Sequence, residues 1–128
     1  MFDCSSDEEG RIMKQLLKEL CMEFSVFSVL VAGIVLLWED NLILFFVVSI
    51  EGVAALSLWH DRYDLIFFSV IAVLGSAAEV VFVFFGVWQY ANPTILGAPL
   101  WFPLAFGICG LVGERLVQTI DTIWERMF

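Results

Sequence analysis

The sequence predicts an all-α, polytopic integral membrane protein: four transmembrane helices in an up-down bundle, preceded by an amphipathic segment. Three observations predict it. The chain of 128 residues is 61% hydrophobic, with 13 Phe and 5 Trp, and a soluble domain of this length cannot withdraw that much apolar surface from water. Apolar runs recur at close to the ~20 residues that a helix rising ~1.5 Å per residue needs to cross a ~30 Å hydrocarbon core. All 6 Lys and Arg fall on one side of the resulting topology: Arg11, Lys14 and Lys18 before the first run, Arg62 between the second and third, Arg115 and Arg126 at the end of the fourth. Basic residues near span ends are retained in the cytoplasm, so both termini are expected there, in a bacterial or archaeal inner (plasma) membrane.

Residues 1–23 read as a cytoplasmic acidic tail and amphipathic helix. Ser6 followed by Glu9 has the form of a capping box. Ile12, Met13, Leu16, Leu17, Leu20 and Cys21 then recur at helical spacing, with Arg11, Lys14 and Lys18 on the remaining faces. The segment is expected either to lie on the inner membrane surface or to extend span one into the cytoplasm. Residues 24–120 form the four-span membrane domain and 121–128 a second cytoplasmic tail. Span one runs from about Cys21 to Trp38, span two from Leu42 to Trp59, span three from Leu65 to Gly86 and span four from Leu100 to Ile120. The links 39–41 and 60–64 are short, which forces antiparallel neighbours. Trp38, Trp59, Trp88, Tyr90 and Trp101 fall at span ends, where amphipathic rings prefer to sit.

Charge and cysteine content exclude several classes of function. A net charge of −9 with scattered cations offers no basic face to a phosphate backbone, so no nucleic-acid partner is expected. Most of the acids, Glu39, Asp40, Asp61 and Asp64 among them, read as solvated tail and turn residues, and so does His60 beside Asp61. Cys4, Cys21 and Cys109 lie at different depths and match no zinc or redox spacing. No metal or cofactor is expected. The acidic beginning of the chain also argues against a cleavable signal peptide.

Three carboxylates fall inside the spans. Glu51 lies almost at the centre of span two, Glu79 about two turns from the outer end of span three, and Glu114 in the inner third of span four. A charged carboxylate near a span centre costs ~2.5–3.5 kcal/mol on insertion scales, so each needs a partner or a purpose. Gly107, Gly110 and Gly113 share one side of span four with Glu114; Ala72, Gly75 and Ser76 share a side of span three with Glu79; Ala54 and Ala55 stand beside Glu51. Small residues let helices approach closely, so the acids are expected to face packed interfaces. By depth they form a ladder suited to a proton or cation relay. Alternatively, Glu51 and Glu79 hydrogen-bond across helices to Ser49, Ser76 or Gln89, and Glu114 sits at the inner interface with Arg115 reaching toward the headgroups.

The longest connection, Gly86 to Pro103, carries Pro93, Pro99 and Pro103, which fix the backbone, and Gly86 and Gly97, which relax it. It is expected to fold back on the bundle, either as an ordered re-entry with a tryptophan belt or with Trp88, Gln89, Tyr90, Asn92 and Trp101 forming a ligand lip. Pro103 suits the first turn of span four. The stretch from Glu79 to Pro103, with its acid followed by G-V-W-x-Y, N-P, L-G and P-L-W-x-P, is similar to one found in small, functionally uncharacterised bacterial four-span membrane proteins. More loosely it resembles the repeat unit of membrane carotenoid (lycopene) cyclases, an acidic span residue followed by G-x-W-x-Y and L-G. Those cyclases carry a downstream P-x-E-[ED] motif, whereas Pro99 and Pro103 are followed here by Leu100-Trp101 and Leu104-Ala105. What the resemblance implies is therefore isoprenoid binding more than cyclase chemistry.

With no catalytic signature, three functions stay open. The chain is an accessory or structural subunit that docks a larger membrane partner or its own copies through the glycine face of span four, a proton- or cation-coupled transport module built on the intramembrane acids, or an isoprenoid- or lipid-binding or lipid-modifying protein. The lipid bilayer is the common partner of all three.

Overall fold

The computed structural model describes residues 4–59, 61–90, 93 and 97–128, with side chains from Ser6 onward. His60, read as a solvated turn residue, and Asn92, read as part of the loop lip, lie outside the described residues. Four helices follow one another: α1 Cys4–Leu37, α2 Asn41–Trp59, α3 Arg62–Phe84 and α4 Phe102–Met127.

α1 is a single helix of 34 residues. The amphipathic segment is thus the continuation of the first apolar run and not a separate surface helix: no proline interrupts it, and its half-buried stripe passes from Met13, Leu16 and Leu20 into Met22 and Val26. Cys4 and Ser5 are already helical, so Ser6 stands within the helix and not at the capping position expected. α2 starts behind Asp40, whose Oδ1 accepts from the Ile43 N–H at 3.2 Å. Asp61 caps α3 in the same way, accepting from the Tyr63 N–H at 3.1 Å, which satisfies a donor that the helix itself leaves open. α3 ends in a Schellman motif: Val87 N–H reaches Phe82 O at 2.9 Å and Gly86 N–H reaches Val83 O at 3.1 Å, with Gly86 at φ 75° supplying the left-handed turn. Pro103 occupies the first turn of α4 as expected. That helix continues through residues 121–127, beyond the end predicted for span four.

α4 is the centre of the bundle. It runs antiparallel to α3, since Asp64 meets Arg115, Ile71 meets Gly110, and Gly75 meets Phe106. It runs parallel to α2, with Asn41 opposite Trp101 and Trp59 opposite Arg115. α1 packs antiparallel to both, through Glu23 on Thr119 and Gly33 against Leu44 and Val47. Leu30, Leu44, Val48, Ala105, Ile108 and Val112 form the core. The molecule therefore has two ends. The end with the α2–α3 turn is called the basic end below, and the end with the α1–α2 turn and the α3–α4 connection the loop end.

Outside this core the surface is apolar. α1, α2 and α3 are each long and apolar enough to cross a membrane, and only 28% of the most apolar window of α2 and 6% of that of α3 is buried within the chain. Large side chains such as Phe46, Ile50, Val73, Leu74 and Phe84 point outward. Water is a poor solvent for such a surface and hydrocarbon a good one. α4 does not meet the same standard of apolar length, because Glu114 and Arg115 interrupt its apolar stretch.

The glycine face of α4 is used inside the chain. A Cβ on Gly107 would lie 2.7 Å from the Phe68 ring, and one on Gly110 2.7 Å from Ile71. The small residues bring α3 and α4 together, which corrects the expectation that this face docks a partner. Gly113 meets nothing within 4 Å and is exposed. Gly107→Leu and Gly110→Leu are expected to destabilise the chain by about 1–3 kcal/mol each, the usual cost of overpacking, while Gly113→Leu stays within about 0.5 kcal/mol. Thermal unfolding in detergent measures this, and similar losses at Gly107 and Gly113 would contradict the packing described.

Candidate functional site

At the basic end one arginine ties α2, α3 and α4 together. The Arg115 Nε donates to Asp64 Oδ1 at 3.0 Å and its Nη2 donates to Asp64 Oδ2 and, at 3.1 Å, to the Trp59 carbonyl. Asp61 Oδ2 stands 3.9 Å from the same nitrogen, and the guanidinium carbon lies 5.5 Å over the Trp59 ring. A fork donor on a carboxylate is the strongest geometry an ion pair adopts. Asp64 is only 1% exposed, so it is not the solvated turn residue expected, and Arg115 is turned into the protein instead of toward the headgroups. Burial explains both: an isolated buried charge would be far more costly than the paired one.

α1 joins this layer through two acids. Glu19 Oε2 accepts from the Trp59 indole N–H at 3.2 Å, and Thr119 Oγ1 stands 2.6 Å from Glu23 Oε1. Neither Glu19 nor Glu23 stood out in the sequence, although Glu23 interrupts an apolar stretch between Met22 and Phe24 and follows Glu19 by one helical turn. Glu114 lies at the edge of the layer. Gln118 Nε2 donates to its Oε1 at 2.6 Å, while its Oε2 is buried without a partner.

At the loop end Glu79 pins the connection. Its Oε2 accepts from the Trp88 indole N–H at 2.9 Å and from the Tyr90 hydroxyl. Two loop aromatics, and neither Ser76 nor Gln89, are thus its partners; Gln89 is exposed and Ser76 Oγ is buried without a partner. The Tyr90 hydroxyl is pushed up to about 12, first by burial and then by the acceptor carboxylate of Glu79, so it stays a neutral donor. Trp101 is buried, and its indole N–H donates to Asn41 Oδ1 at 3.1 Å.

Beneath the folded-back connection lies a cavity of about 490 Å³ between α1 and α4, walled by Ile34, Trp38, Pro99, Trp101, Phe102 and Phe106, with Asn41 and Tyr90 also on its surface. Of the expected lip, Tyr90 and Trp101 line this cavity, whereas Trp88 and Gln89 do not. Nearly all of its wall is apolar.

Glu51 stands alone in the middle of α2, half-buried, with Oε1 inaccessible and unpartnered. Among the described residues no hydrogen bond or ion pair joins Glu51, Glu79 and Glu114, and no group of acids, histidines and cysteines is placed to hold a metal. Comparison with protein families, curated proteins and solved structures finds no match to this chain. Its long apolar helices and outward-facing apolar surface are nonetheless those of a membrane protein.

Asp64→Leu is expected to destabilise the bundle by up to about 3–5 kcal/mol, because it leaves the largely buried Arg115 with only the more distant and exposed Asp61 as counter-charge. Replacing both residues with leucine should recover most of that loss. Equilibrium unfolding of the two single variants and the double variant tests this, and additive losses would contradict the pairing.

Proposed function

We propose that this chain is a four-span membrane protein with both termini in the cytoplasm that binds an elongated apolar ligand, of lipid or isoprenoid class, in the loop-end cavity. The cavity itself carries the proposal: it is roomy, apolar and walled by aromatic rings beneath a connection held down by Glu79. The polar groups nearest to it are already engaged, Tyr90 with Glu79 and Trp101 with Asn41, which favours holding a chain over reacting with it. This agrees with the isoprenoid binding that the resemblance between Glu79 and Pro103 implies.

Four spans are supported by the depth that α4 covers. It begins beside Trp101, bonded to Asn41 at the start of α2, and reaches Arg115, bonded to Trp59 at the end of α2, so it crosses the same layer as a helix that is itself long and apolar enough to span. Within that depth its charged side chains are Glu114 and Arg115, both partly buried against protein. The basic end carries Arg62 and the flanking basic residues and belongs in the cytoplasm. Single cysteines at Asp61 and Gln89 of a cysteine-free variant should therefore label from opposite sides of the membrane. Labelling of both from one side would overturn the topology.

The binding reading is tested with diazirine-bearing isoprenoid and acyl chains in proteoliposomes. Saturable labelling is expected in the segment 99–109, with one of the two chains competing better than the other. Ile34→Trp, which fills the cavity from α1, should weaken it about tenfold, equivalent to ~1.4 kcal/mol. Labelling that does not saturate and falls evenly along the lipid-facing side of α3 would sink the reading.

A second reading, an accessory subunit or homo-oligomer, draws on α1, where exposed Ser28 and Ala32 lie in a shallow groove of about 460 Å³ with Phe27, Val31 and Val35. Small residues four apart suit close helix docking in lipid.

A further inference from the structure

Glu23 is 0% exposed, yet only half of its carboxyl group is accounted for. Oε1 faces Thr119 Oγ1 at 2.6 Å, while Oε2 is buried with no hydrogen-bond partner. Thr119 cannot complete the group, because its hydroxyl also lies 2.9 Å from the Arg115 carbonyl and has one hydrogen to give. Arg115 is near enough to act on Glu23 through space, but its hydrogen bonds go through Nε and Nη2 to Asp64 and the Trp59 carbonyl, and Glu19 is itself an acceptor, taken by Trp59. A buried acceptor without a donor is an unfavourable state, and a carboxylate without a counter-charge more so.

The same side chain lines a cavity of about 200 Å³ between α1 and α4, whose other walls are Phe24, Phe27, Cys109, Val112, Gly113 and Leu116. We propose that this cavity is a second ligand site, independent of the loop-end cavity, and that it takes a primary ammonium group carried on an apolar chain. The ammonium supplies the missing donor to Glu23 Oε2 and a positive charge in direct contact with it, where Arg115 acts only through space. A divalent metal does not suit one carboxylate among apolar walls, since Ca²⁺ and Mg²⁺ take about six or more oxygen ligands and Zn²⁺ about four ligands, and among the described residues no group of acids, histidines and cysteines is placed to supply them. The rings of Phe24 and Phe27, 57% and 44% exposed, stand at the open side, where aromatic faces attract a cation. From Glu23 the wall runs through Val112 to Cys109, away from the basic end. A ligand held there has its charged head at the level of the Arg115 layer and its apolar chain toward the middle of the bundle, which is how an amphiphile lies in the leaflet at that end.

The ammonium can come from an ethanolamine lipid headgroup or from a free long-chain amine. The test measures thermal unfolding of the detergent-solubilised full chain against dodecylammonium, dodecyltrimethylammonium and dodecanol. Dodecylammonium is expected to raise the midpoint at concentrations about tenfold lower than dodecyltrimethylammonium, which has no N–H to donate, and dodecanol should do no better. Glu23→Gln keeps the shape and the bond to Thr119, and it should abolish the advantage of the primary ammonium. Equal responses to the primary and quaternary ions in the wild-type chain would overturn the proposal without reliance on any variant, as would an undiminished advantage in Glu23→Gln. In nanodiscs, stabilisation by phosphatidylethanolamine over phosphatidylcholine would identify the lipid headgroup as the source, and stabilisation by the added amine alone would identify a free amphiphile.

Discussion

The bundle depends on the ion pair between Arg115 and Asp64. It joins the start of α3 to α4, with Asp64 buried and Arg115 partly so, and through the Trp59 carbonyl it reaches the end of α2. Trp59 passes the connection to α1 by donating to Glu19, so one guanidinium orders the basic ends of all four helices. In an apolar solvent hydrophobic burial does little to hold helices together, and polar contacts and close packing take its place. That the polar layer sits at the basic end, and the tight glycine contacts of α3 with α4 toward the middle, follows from the same economy. Charges are placed where short turns can supply counter-charges, and small residues where they are absent.

With that layer in place, α4 becomes the helix on which the others are arranged. It lacks the uninterrupted apolar stretch that α1, α2 and α3 each have, and it is the most enclosed, and these properties have one cause. Glu114, Arg115 and Thr119 would be poorly placed against hydrocarbon, so the face that carries them is turned toward α1, α2 and α3. α3 shows the reverse, with nearly all of its apolar window facing outward and its contacts made mainly with α4, apart from Phe68 beside Gly52 of α2. The loop end is closed by a second device of the same kind, Glu79 receiving Trp88 and Tyr90, and this bond holds the long connection over the cavity between α1 and α4.

The acids thus divide by what surrounds them. Asp64 has a full counter-charge, Glu79 two neutral donors, Glu114 an amide, and Glu23 a single hydroxyl. Only the last combines complete burial, an unpartnered oxygen and adjoining empty space, which is why it and not the more central Glu51 points to a ligand. A seam between α1 and α4 carries both cavities, and Cys109 lines each of them.

The sequence by itself determined the helices, their order and the two ends of the molecule. Helix period and apolar run length are properties of consecutive residues, and so are the caps: Asp61, Gly86 and Pro103 act within one turn of where they stand. Long apolar runs also made the membrane-like surface legible before any packing was known. Which acids are paired was decided only by the tertiary structure. Asp64 reads as a solvated turn residue until α4 brings Arg115 to it from 51 positions away, and Glu23 reads as one acid of an amphipathic helix until Thr119 and the cavity enclose it from 96 positions away. The glycines of α4 likewise announced a close contact without naming its partner, since small residues permit an approach and only the fold says that α3, within the same chain, makes it.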